Sequence, residues 1–351
     1  MTEAPVFILG TAAVTALGDT VGKNCDALLA GRSCFSAPRH FDGAGRLLGI
    51  DHDLDGGTNS RAERLLSKLE SALPFAIPAG TRLFVGTTIG TIDLLEQGRE
   101  LDTAGEFLRL AEKIFGIADG TLVSAACASG QTAVAAAMRA LRRGTCRHAL
   151  VVGGDITSEF VTRGFAALGA LSGTVSRPYD AGRDGLTLGE GAAALLLGAS
   201  GPGVGKITGA CENGDASHIT SPDLSGRQLA AACRRALEDV PPDAVIGHGT
   251  GTVYNDRAEI AALRELFSDA PVPLFSLKGN VGHTLGATGV LQIALGLELA
   301  ARRLLPPQAG LRTPEAGANV SKQARRLAGG RLLSLNVGFG GLNSAAVLEA
   351  L

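Results

Sequence analysis

Short apolar runs alternate with amphipathic stretches along the whole chain. The runs lie at 5–9, 82–85, 121–126, 149–152, 191–198, 243–247 and 331–337. Between them, residues 131–143 and 227–238 repeat apolar positions at the spacing of an α-helix. Short apolar runs that alternate with helices are typical of sheets buried beneath helical layers. The pattern therefore predicts an α/β fold with largely buried sheets.

The order of these elements occurs twice along the chain. VFILGTAAVTALGDT near the start is similar to GKITGACENGDAS at 205–217, and LFVGTTIGT at 84–92 is similar to AVIGHGTGT at 244–252. We interpret this as two similar halves, 1–200 and 201–351, packed as one body with special residues at matching strand ends. Chance similarity among glycine-rich turns is the alternative.

Composition and charge favour a globular protein and give no sign of a nucleic-acid-binding or membrane protein. With 351 residues, of which 45% are hydrophobic, the chain can bury a large core. A net charge of −2 gives no electrostatic reason to expect nucleic acid or an anionic membrane as a partner. The apolar stretches 120–138 and 279–297 contain polar residues and are interpreted as buried helices, so we expect no membrane span.

The cysteines and the amino terminus indicate a reducing compartment. The start of the chain lacks the features of a secretory signal, and the six cysteines are scattered without a CxxC pair. We therefore expect a cytoplasmic protein. Five of the cysteines are interpreted as small buried hydrophobic side chains: Cys25, Cys34, Cys146, Cys211 and Cys233.

Cys127 is the candidate nucleophile. It is predicted to open a helix after the run TLVSAA, and the positive end of a helix favours the thiolate over the thiol. Its small neighbours, from Ala126 to Gly130, would let a bulky thioester approach the backbone. A packed, unreactive thiol is the alternative at this point.

Two histidines lie in segments of small residues that follow predicted strands. His248 is in GHGTGT and His283 is in KGNVGHTLGATG. A reactive cysteine with one or two adjacent histidines is an arrangement used in acyl transfer. Sequence spacing does not show that these groups are adjacent, and each histidine taken singly also fits a structural role. The same structural reading applies to His40, His52 and His148.

Six segments together resemble the β-ketoacyl-acyl-carrier-protein synthases of the thiolase superfamily. They are SAACASG, RPYDAGRDGLTLGEGAAALLL at 177–197, DASHITSP at 215–222, HGTGTVYNDRAE, SLKGNVGHTLGATG and NVGFGGLN. They occur in the family's order and cover most of the chain. The resemblance implies a thiolase-like fold of five layers, in which the sheets of two pseudo-symmetric halves are sandwiched between helix layers.

The resemblance also implies a role for each matching residue. Cys127 would accept the acyl group, and His248 and His283 would form the histidine pair. A neutral imidazole can donate a hydrogen bond to the enolate that develops when a malonyl-type thioester loses carbon dioxide. Lys278 would hold the geometry and charge of the site. The backbone N–H groups of Cys127 and Phe339 would form the oxyanion hole, and Phe339 would gate the acyl pocket.

The implied activity is decarboxylative condensation of an acyl thioester in fatty-acid, polyketide or polyene synthesis. Its partners would be an acyl carrier protein with acyl and malonyl-type thioesters, and the protein would be a homodimer or pair with a second ketosynthase subunit. No metal or other cofactor is expected.

A chain-length-factor-like accessory subunit is the alternative function. The paired histidines argue against an initiating synthase or a thiolase, and the lack of GxGxxG and GxSxG motifs argues against a dinucleotide-binding protein or a serine hydrolase.

The chain departs from the family pattern in several places. Gln292 stands where the family usually carries a glutamate; a neutral amide can accept a hydrogen bond from Lys278 but cannot balance its charge. Asp256 and Glu259 match the acidic pair that supports the lysine. The chain is also shorter than usual between GTTIGT and SAACASG, which leaves acyl length and the choice of partner open.

Overall fold

The structure, a computed structural model, describes residues 4–268 and 270–351. Within these ranges the strands are β1 (Val6–Thr15), β2 (Phe35–Ser36), β3 (Leu48–Gly49), β4 (Arg82–Gly86), β5 (Thr121–Val123), β6 (His148–Asp155), β7 (Gly191–Gly198), β8 (Gly205–Gly214), β9 (Ala244–Ile246), β10 (Leu274–Phe275), β11 (Leu304–Leu305), β12 (Arg325–Arg326), β13 (Arg331–Gly338) and β14 (Leu342–Ala350). The helices are α1 (Val21–Leu29), α2 (Arg61–Ser71), α3 (Ile92–Glu96), α4 (Thr103–Phe115), α5 (Ser129–Arg142), α6 (Glu159–Ala167), α7 (Arg227–Leu237), α8 (Val253–Phe267), α9 (Lys278–Val281) and α10 (Thr288–Arg302), with short 3-10 turns at His52–Leu54 and Leu285–Ala287.

The main sheet has two halves with the same strand order. It runs β10-β9-β13-β14-β8-β1-β7-β6-β4-β5. Outward from the centre, each half has two antiparallel pairings followed by two parallel ones. The halves meet where β1 pairs with β8 over three residue pairs, so they form one continuous sheet. The apolar runs predicted as strands all overlap strands of this sheet, whereas β8, β10 and β14 lie outside those runs.

Alternate residues of each strand face different helix layers, as the pleat requires. On β6, Ala149 and Val151 pack in the central core, whereas Leu150 and Val152 pack against α2 and α4. In the other half, α7 and α8 cover the outer face of the sheet, and α5 and α10 fill the space between the half-sheets. The predicted thiolase-like α/β fold with sheets between helix layers is confirmed.

Helix α10 shows why a sequence that is apolar on all sides belongs in the central layer. It is buried on nearly every side, and it packs on α5 and on strands of both halves. Outer helices such as α2 and α4 instead begin at polar caps, Ser60 and Asp102, whose side chains accept backbone N–H groups. Across residues 4–268 and 270–351, no helix combines the length and apolar character needed to cross a membrane.

The cysteines are free thiols, and three of the five that were predicted to be buried are only half-buried. Cys25, Cys127 and Cys233 are buried, but Cys34, Cys146 and Cys211 are half-buried. The segments that carry the candidate site residues follow strands β5, β9, β10 and β13. Because parallel strands end at the same edge of a sheet, this topology gathers those segments at one place.

Candidate active site

Cys127 lies in a sharp turn between β5 and α5. The helix begins at Ser129, so Cys127 precedes it by two residues instead of opening it. The hydroxyl of Ser129 donates to the carbonyl of Ala126 (2.6 Å) and accepts from the N–H of Ala125 (2.9 Å). Ala126 has φ 48°, in the left-handed region that a side chain disfavours. These bonds hold the strained turn that presents the cysteine.

Burial determines the protonation state of Cys127. The residue is 5% exposed, and burial raises the pKa of its thiol to about 12, although the positive charge of Lys278 lowers it. Burial therefore opposes the thiolate that a helix start was predicted to favour, and Cys127 lies two residues before the helix begins. The sulfur has to lose its proton during reaction.

His283 is held as a neutral imidazole with a defined tautomer. Its Nδ1 accepts a hydrogen bond from the N–H of Leu285 (3.1 Å), so the ring proton belongs on Nε2. Burial, together with the charge of Lys278, holds the pKa of His283 well below its usual value. The backbone of His283 is fixed on both sides, by Thr187 O (2.7 Å) and by Gly189 N (3.0 Å).

His248 has the same tautomer for a different reason. The Nζ of Lys278 lies 3.3 Å from its Nδ1 and also donates to its carbonyl oxygen. An ammonium group has no acceptor, so Nδ1 must accept and Nε2 must carry the proton. Burial and the charge of Lys278 hold the pKa of His248 well below its usual value. The rings of His248 and His283 are perpendicular, with centroids 5.4 Å apart, so the site contains two neutral N–H donors.

Two carboxylates of α8 clamp the loop that carries His248. Glu259 accepts the N–H groups of His248 (2.6 Å) and Gly249 (2.8 Å), and Asp256 accepts those of Thr250 (2.9 Å) and Gly251 (3.2 Å). The sequence match paired these acids with Lys278. The structure instead bonds them to the loop backbone, and the charge of Glu259 acts on the lysine only through space.

Gln292 does not hydrogen-bond to Lys278, contrary to the expectation. Its Nε2 donates to three backbone carbonyls, of Ile246 (3.1 Å), Gly247 (3.3 Å) and Leu335 (3.1 Å). The amide thus joins the ends of β9 and β13 from the central helix α10. An ionised glutamate at this position would place a carboxylate oxygen, which only accepts hydrogen bonds, against three carbonyl oxygens that also only accept them.

Asp155, at the end of β6, is a buried residue that supports the segments around the site, and the sequence analysis gave it no role. Its buried carboxylate accepts from Thr87 Oγ1 (2.6 Å), Thr88 N (2.9 Å), Ile89 N (3.1 Å) and Gly286 N (2.6 Å). Burial raises the pKa of Asp155 to about 6, and the hydrogen bonds lower it. The signal was present in HALVVGGD, because a carboxylate that ends a buried strand needs buried donors.

One cleft of about 600 Å³, which includes its solvent-open mouth, brings the predicted residues together. Cys127, His248, His283 and Phe339 line it, and Lys278 lies behind His248. Phe339 is 39% exposed and stacks on Phe165, with ring centroids 5.9 Å apart.

The glycine before Phe339 explains how that residue comes to lie beside the nucleophile. A Cβ at Gly338 would be 3.0 Å from the carbonyl oxygen of Ala125, so only a glycine allows this approach without a shift. The backbone of Phe339 is thereby brought next to the turn of Cys127.

Known proteins match both halves of the chain. Residues 119–200 match the family model of the β-ketoacyl synthase N-terminal domain, and residues 204–312 match that of the C-terminal domain. The actinorhodin polyketide putative beta-ketoacyl synthase 1 of Streptomyces coelicolor is 34% identical over 65% of this chain, and the match spans 54% of that protein. The 3-oxoacyl-(acyl-carrier-protein) synthase 2 of Vibrio harveyi is 27% identical, with 99% of each chain covered.

Solved structures agree with the sequence matches. The ishigamide ketosynthase/chain length factor superposes with a TM-score of 0.88 at 25% identity, covering 99% of this chain and 100% of the other. The ketosynthase ApeO in complex with its chain length factor ApeC, from Xenorhabdus doucetiae, gives 0.88 at 26% identity, covering 99% and 98%. Since both halves match one family and the whole fold superposes on its members, the chain belongs to the β-ketoacyl synthase family.

Proposed function

We propose that the protein catalyses decarboxylative condensation of an acyl thioester on Cys127 with a malonyl-type thioester. The observation that carries this proposal is the convergence of Cys127, His248 and His283 on one cleft. A nucleophile beside two neutral N–H donors suits a reaction in which an enolate forms next to a bound acyl group.

In the first step, the sulfur of Cys127 attacks the carbonyl carbon of a carrier-bound acyl thioester. The thiol proton passes to the departing carrier thiol, and the acyl group stays on Cys127. Because the pKa of the buried Cys127 is raised, proton removal has to accompany the attack. Both histidines present an N–H at Nε2 and accept at Nδ1, so the proton goes to the departing carrier sulfur and not to a histidine.

In the second step, a malonyl-type thioester loses carbon dioxide. The electron pair of the broken carbon–carbon bond becomes an enolate, whose oxygen would accept hydrogen bonds from Nε2–H of His248 and His283. The tautomers deduced above support this role, since a bond at Nδ1 leaves Nε2 as the donor in both rings.

In the third step, the enolate carbon attacks the acyl carbon on Cys127. The carbon–sulfur bond breaks, the β-ketoacyl product stays on the carrier, and the released thiolate takes up one proton from solvent. We assign the oxyanion hole to the backbone N–H groups of Cys127 and Phe339; the close approach of Gly338 to Ala125, in the turn of Cys127, supports this assignment. In this scheme Lys278 holds His248 and supplies positive charge.

The proposal includes partners and an organisation of the chain. Substrates would arrive on an acyl carrier protein, and the chain would form a homodimer or pair with a second ketosynthase subunit. Residues 1–200 would supply the nucleophile and residues 201–351 the two histidines. A cytoplasmic location stays a prediction.

An accessory chain-length-factor-like subunit is the second candidate. The similarity to solved ketosynthase and chain length factor complexes favours it. The presence of Cys127 with both histidines favours the catalytic alternative.

Intact mass separates the two candidates. The wild type, Cys127→Ala and Cys146→Ala would be incubated with acyl-carrier-protein thioesters of several lengths, followed by malonyl carrier. Cys146 is the matched control because it is a half-buried cysteine outside the cleft. We expect acyl mass gain and β-ketoacyl product from the wild type and Cys146→Ala only. If the wild type gains no mass, but a partner ketosynthase makes longer products in its presence, the accessory function replaces the catalytic one.

A further inference from the structure

Tyr179 lies directly beneath the loop of His248. It is fully buried, and its ring fills the space beside Gly247 and Gly249. A Cβ at Gly247 would lie 2.0 Å from the Tyr179 hydroxyl oxygen, and one at Gly249 would lie 2.4 Å from the ring. The two glycines that flank His248 are therefore required by this tyrosine.

Tyr179 contacts both carboxylates that clamp the loop. Its hydroxyl donates to Oε2 of Glu259 (2.9 Å), and its backbone N–H donates to Oδ2 of Asp256 (2.8 Å). Its φ of 61° lies in the left-handed region, which a side chain adopts only when its surroundings hold it there. The Tyr179 hydroxyl therefore hydrogen-bonds to Glu259, the same carboxylate that accepts the backbone N–H of His248.

We propose that Tyr179 is a positioning residue that keeps Glu259 ionised, and through Glu259 holds His248 and the charge of Lys278 in the arrangement that condensation needs. The inference rests on the proposed function. A phenol that donates to a carboxylate stabilises its charged form. A protonated Glu259 would turn one of its acceptor oxygens into a donor beside two backbone N–H groups. It would also remove the negative charge that acts most strongly, through space, on the buried Lys278.

The charges around Glu259 fix the direction of the effect. Asp256 lies on the same helix, Lys278 on α9 and Cys233 on α7, and His248 is in the clamped loop. Burial and Asp256 raise the pKa of Glu259 to about 7, whereas the hydrogen bonds from the loop and from Tyr179 lower it. Burial also raises the pKa of Tyr179, so it remains a phenol. Loss of the hydroxyl therefore raises the pKa of Glu259.

The pH profile of kcat for condensation tests the proposal in Tyr179→Phe. This variant keeps the ring that packs on the glycines. One charge-assisted hydrogen bond corresponds to a shift of about one pH unit, so the acidic limb moves upward by that amount. We expect roughly an eightfold loss at pH 6.5 and less than a twofold loss at pH 8.5. The chain has two tyrosines, and Tyr254→Phe, at a 61% exposed position, is the matched control with the wild-type profile. An equal loss at every pH would assign Tyr179 to the fold alone and overturn the proposal.

A second measurement is independent of catalysis. In the Tyr254→Phe background, 3-fluorotyrosine enters only position 179, and its ¹⁹F resonance reports the charge of Glu259. We expect the resonance to titrate near neutral pH, and to lose that titration in Glu259→Gln. If the resonance does not respond to pH, or responds equally in Glu259→Gln, the coupling is refuted. If the resonance titrates but the wild type forms no product, the proposed function fails while the coupling of Tyr179 and Glu259 stands.

Discussion

Replacing Gln292 with glutamate tests directly whether a neutral amide is required at this position of α10, because the two side chains have the same shape. In the structure the amide nitrogen of Gln292 donates to three carbonyls, and the residue is fully buried. A glutamate there has to stay protonated, since an ionised carboxylate would face three carbonyl oxygens without hydration. Even when protonated, it has one O–H in place of two N–H donors.

The loss of stability is the sum of two costs, that of keeping the carboxyl protonated and that of the lost hydrogen bond. Keeping a carboxyl protonated at pH 7 costs about 1.4 kcal/mol for each pH unit above its unfolded pKa of about 4.3, or about 4 kcal/mol. One lost buried hydrogen bond adds about 1 kcal/mol. We therefore expect Gln292→Glu to lower the free energy of unfolding by about 5 kcal/mol at pH 7, which for a chain of this length lowers Tm by about 7 °C.

The sign of the pH dependence separates this account from an ion pair with Lys278. The folded-state pKa of the introduced acid is raised, so its cost grows as pH rises and shrinks to about 2 kcal/mol at pH 5. Thermal or urea unfolding between pH 5 and 8 measures it. Gln292→Met is a control that loses the donors without adding an acid, so its loss should not depend on pH, and Gln323→Glu adds the same charge at an exposed position. The reasoning is wrong if Gln292→Glu is as stable as the wild type at pH 7, or if its loss of unfolding free energy is larger at pH 5 than at pH 7. Either result would show that the glutamate is ionised and pairs with Lys278.

Three further predictions concern the cleft and its support. Asp155→Asn should lower the free energy of unfolding by about 2–3 kcal/mol, because an amide cannot accept all the donors around it; urea unfolding measures this, and Asp53→Asn, at an exposed position, should change little. Iodoacetamide should alkylate Cys127 about tenfold faster for each pH unit from 7 to 10, because its pKa is about 12, and a plateau below pH 9 in peptide mass spectra would contradict that protonation state. Phe165→Ala should remove the stacking partner of Phe339 and raise kcat/KM for branched or longer acyl carriers relative to short ones; an unchanged ratio in competition assays would show that the stack does not limit acyl size.

The sequence predicted the fold well where hydrophobic pattern alone decides it. Buried strand β7 is a continuous run of glycine, alanine and leucine, and apolar residues predominate around α10 because two half-sheets enclose it. Strand β14 was not predicted, since its alanines and Asn343 give a weak apolar signal. The joining of the half-sheets by β1 and β8 depends on edge contacts, which no local pattern encodes.

The site could be located from the sequence, but its electrostatics could not. The family resemblance implied that Cys127 and His248 belong to one site, and both line the same cleft. They did not show that burial keeps the cysteine protonated, or that Glu259 bonds the loop and not the lysine. Both effects arise from desolvation and from contacts between residues far apart in the chain, and these become visible only once the packing is known.

The duplicated sheet explains how one cleft can contain both a buried nucleophile and buried charges. Cys127 follows the outer strand of one half and His283 follows the outer strand of the other, so the two segments meet across the central helices. The charges that tune them lie one layer back, where Lys278 and Glu259 are fixed by backbone atoms of the loop of His248. Groups fixed in this way need no reorganisation when an enolate forms, and this preorganisation is the main source of electrostatic catalysis. A substitution that leaves the cleft surface intact but loosens this inner layer should therefore lower kcat more than it raises KM.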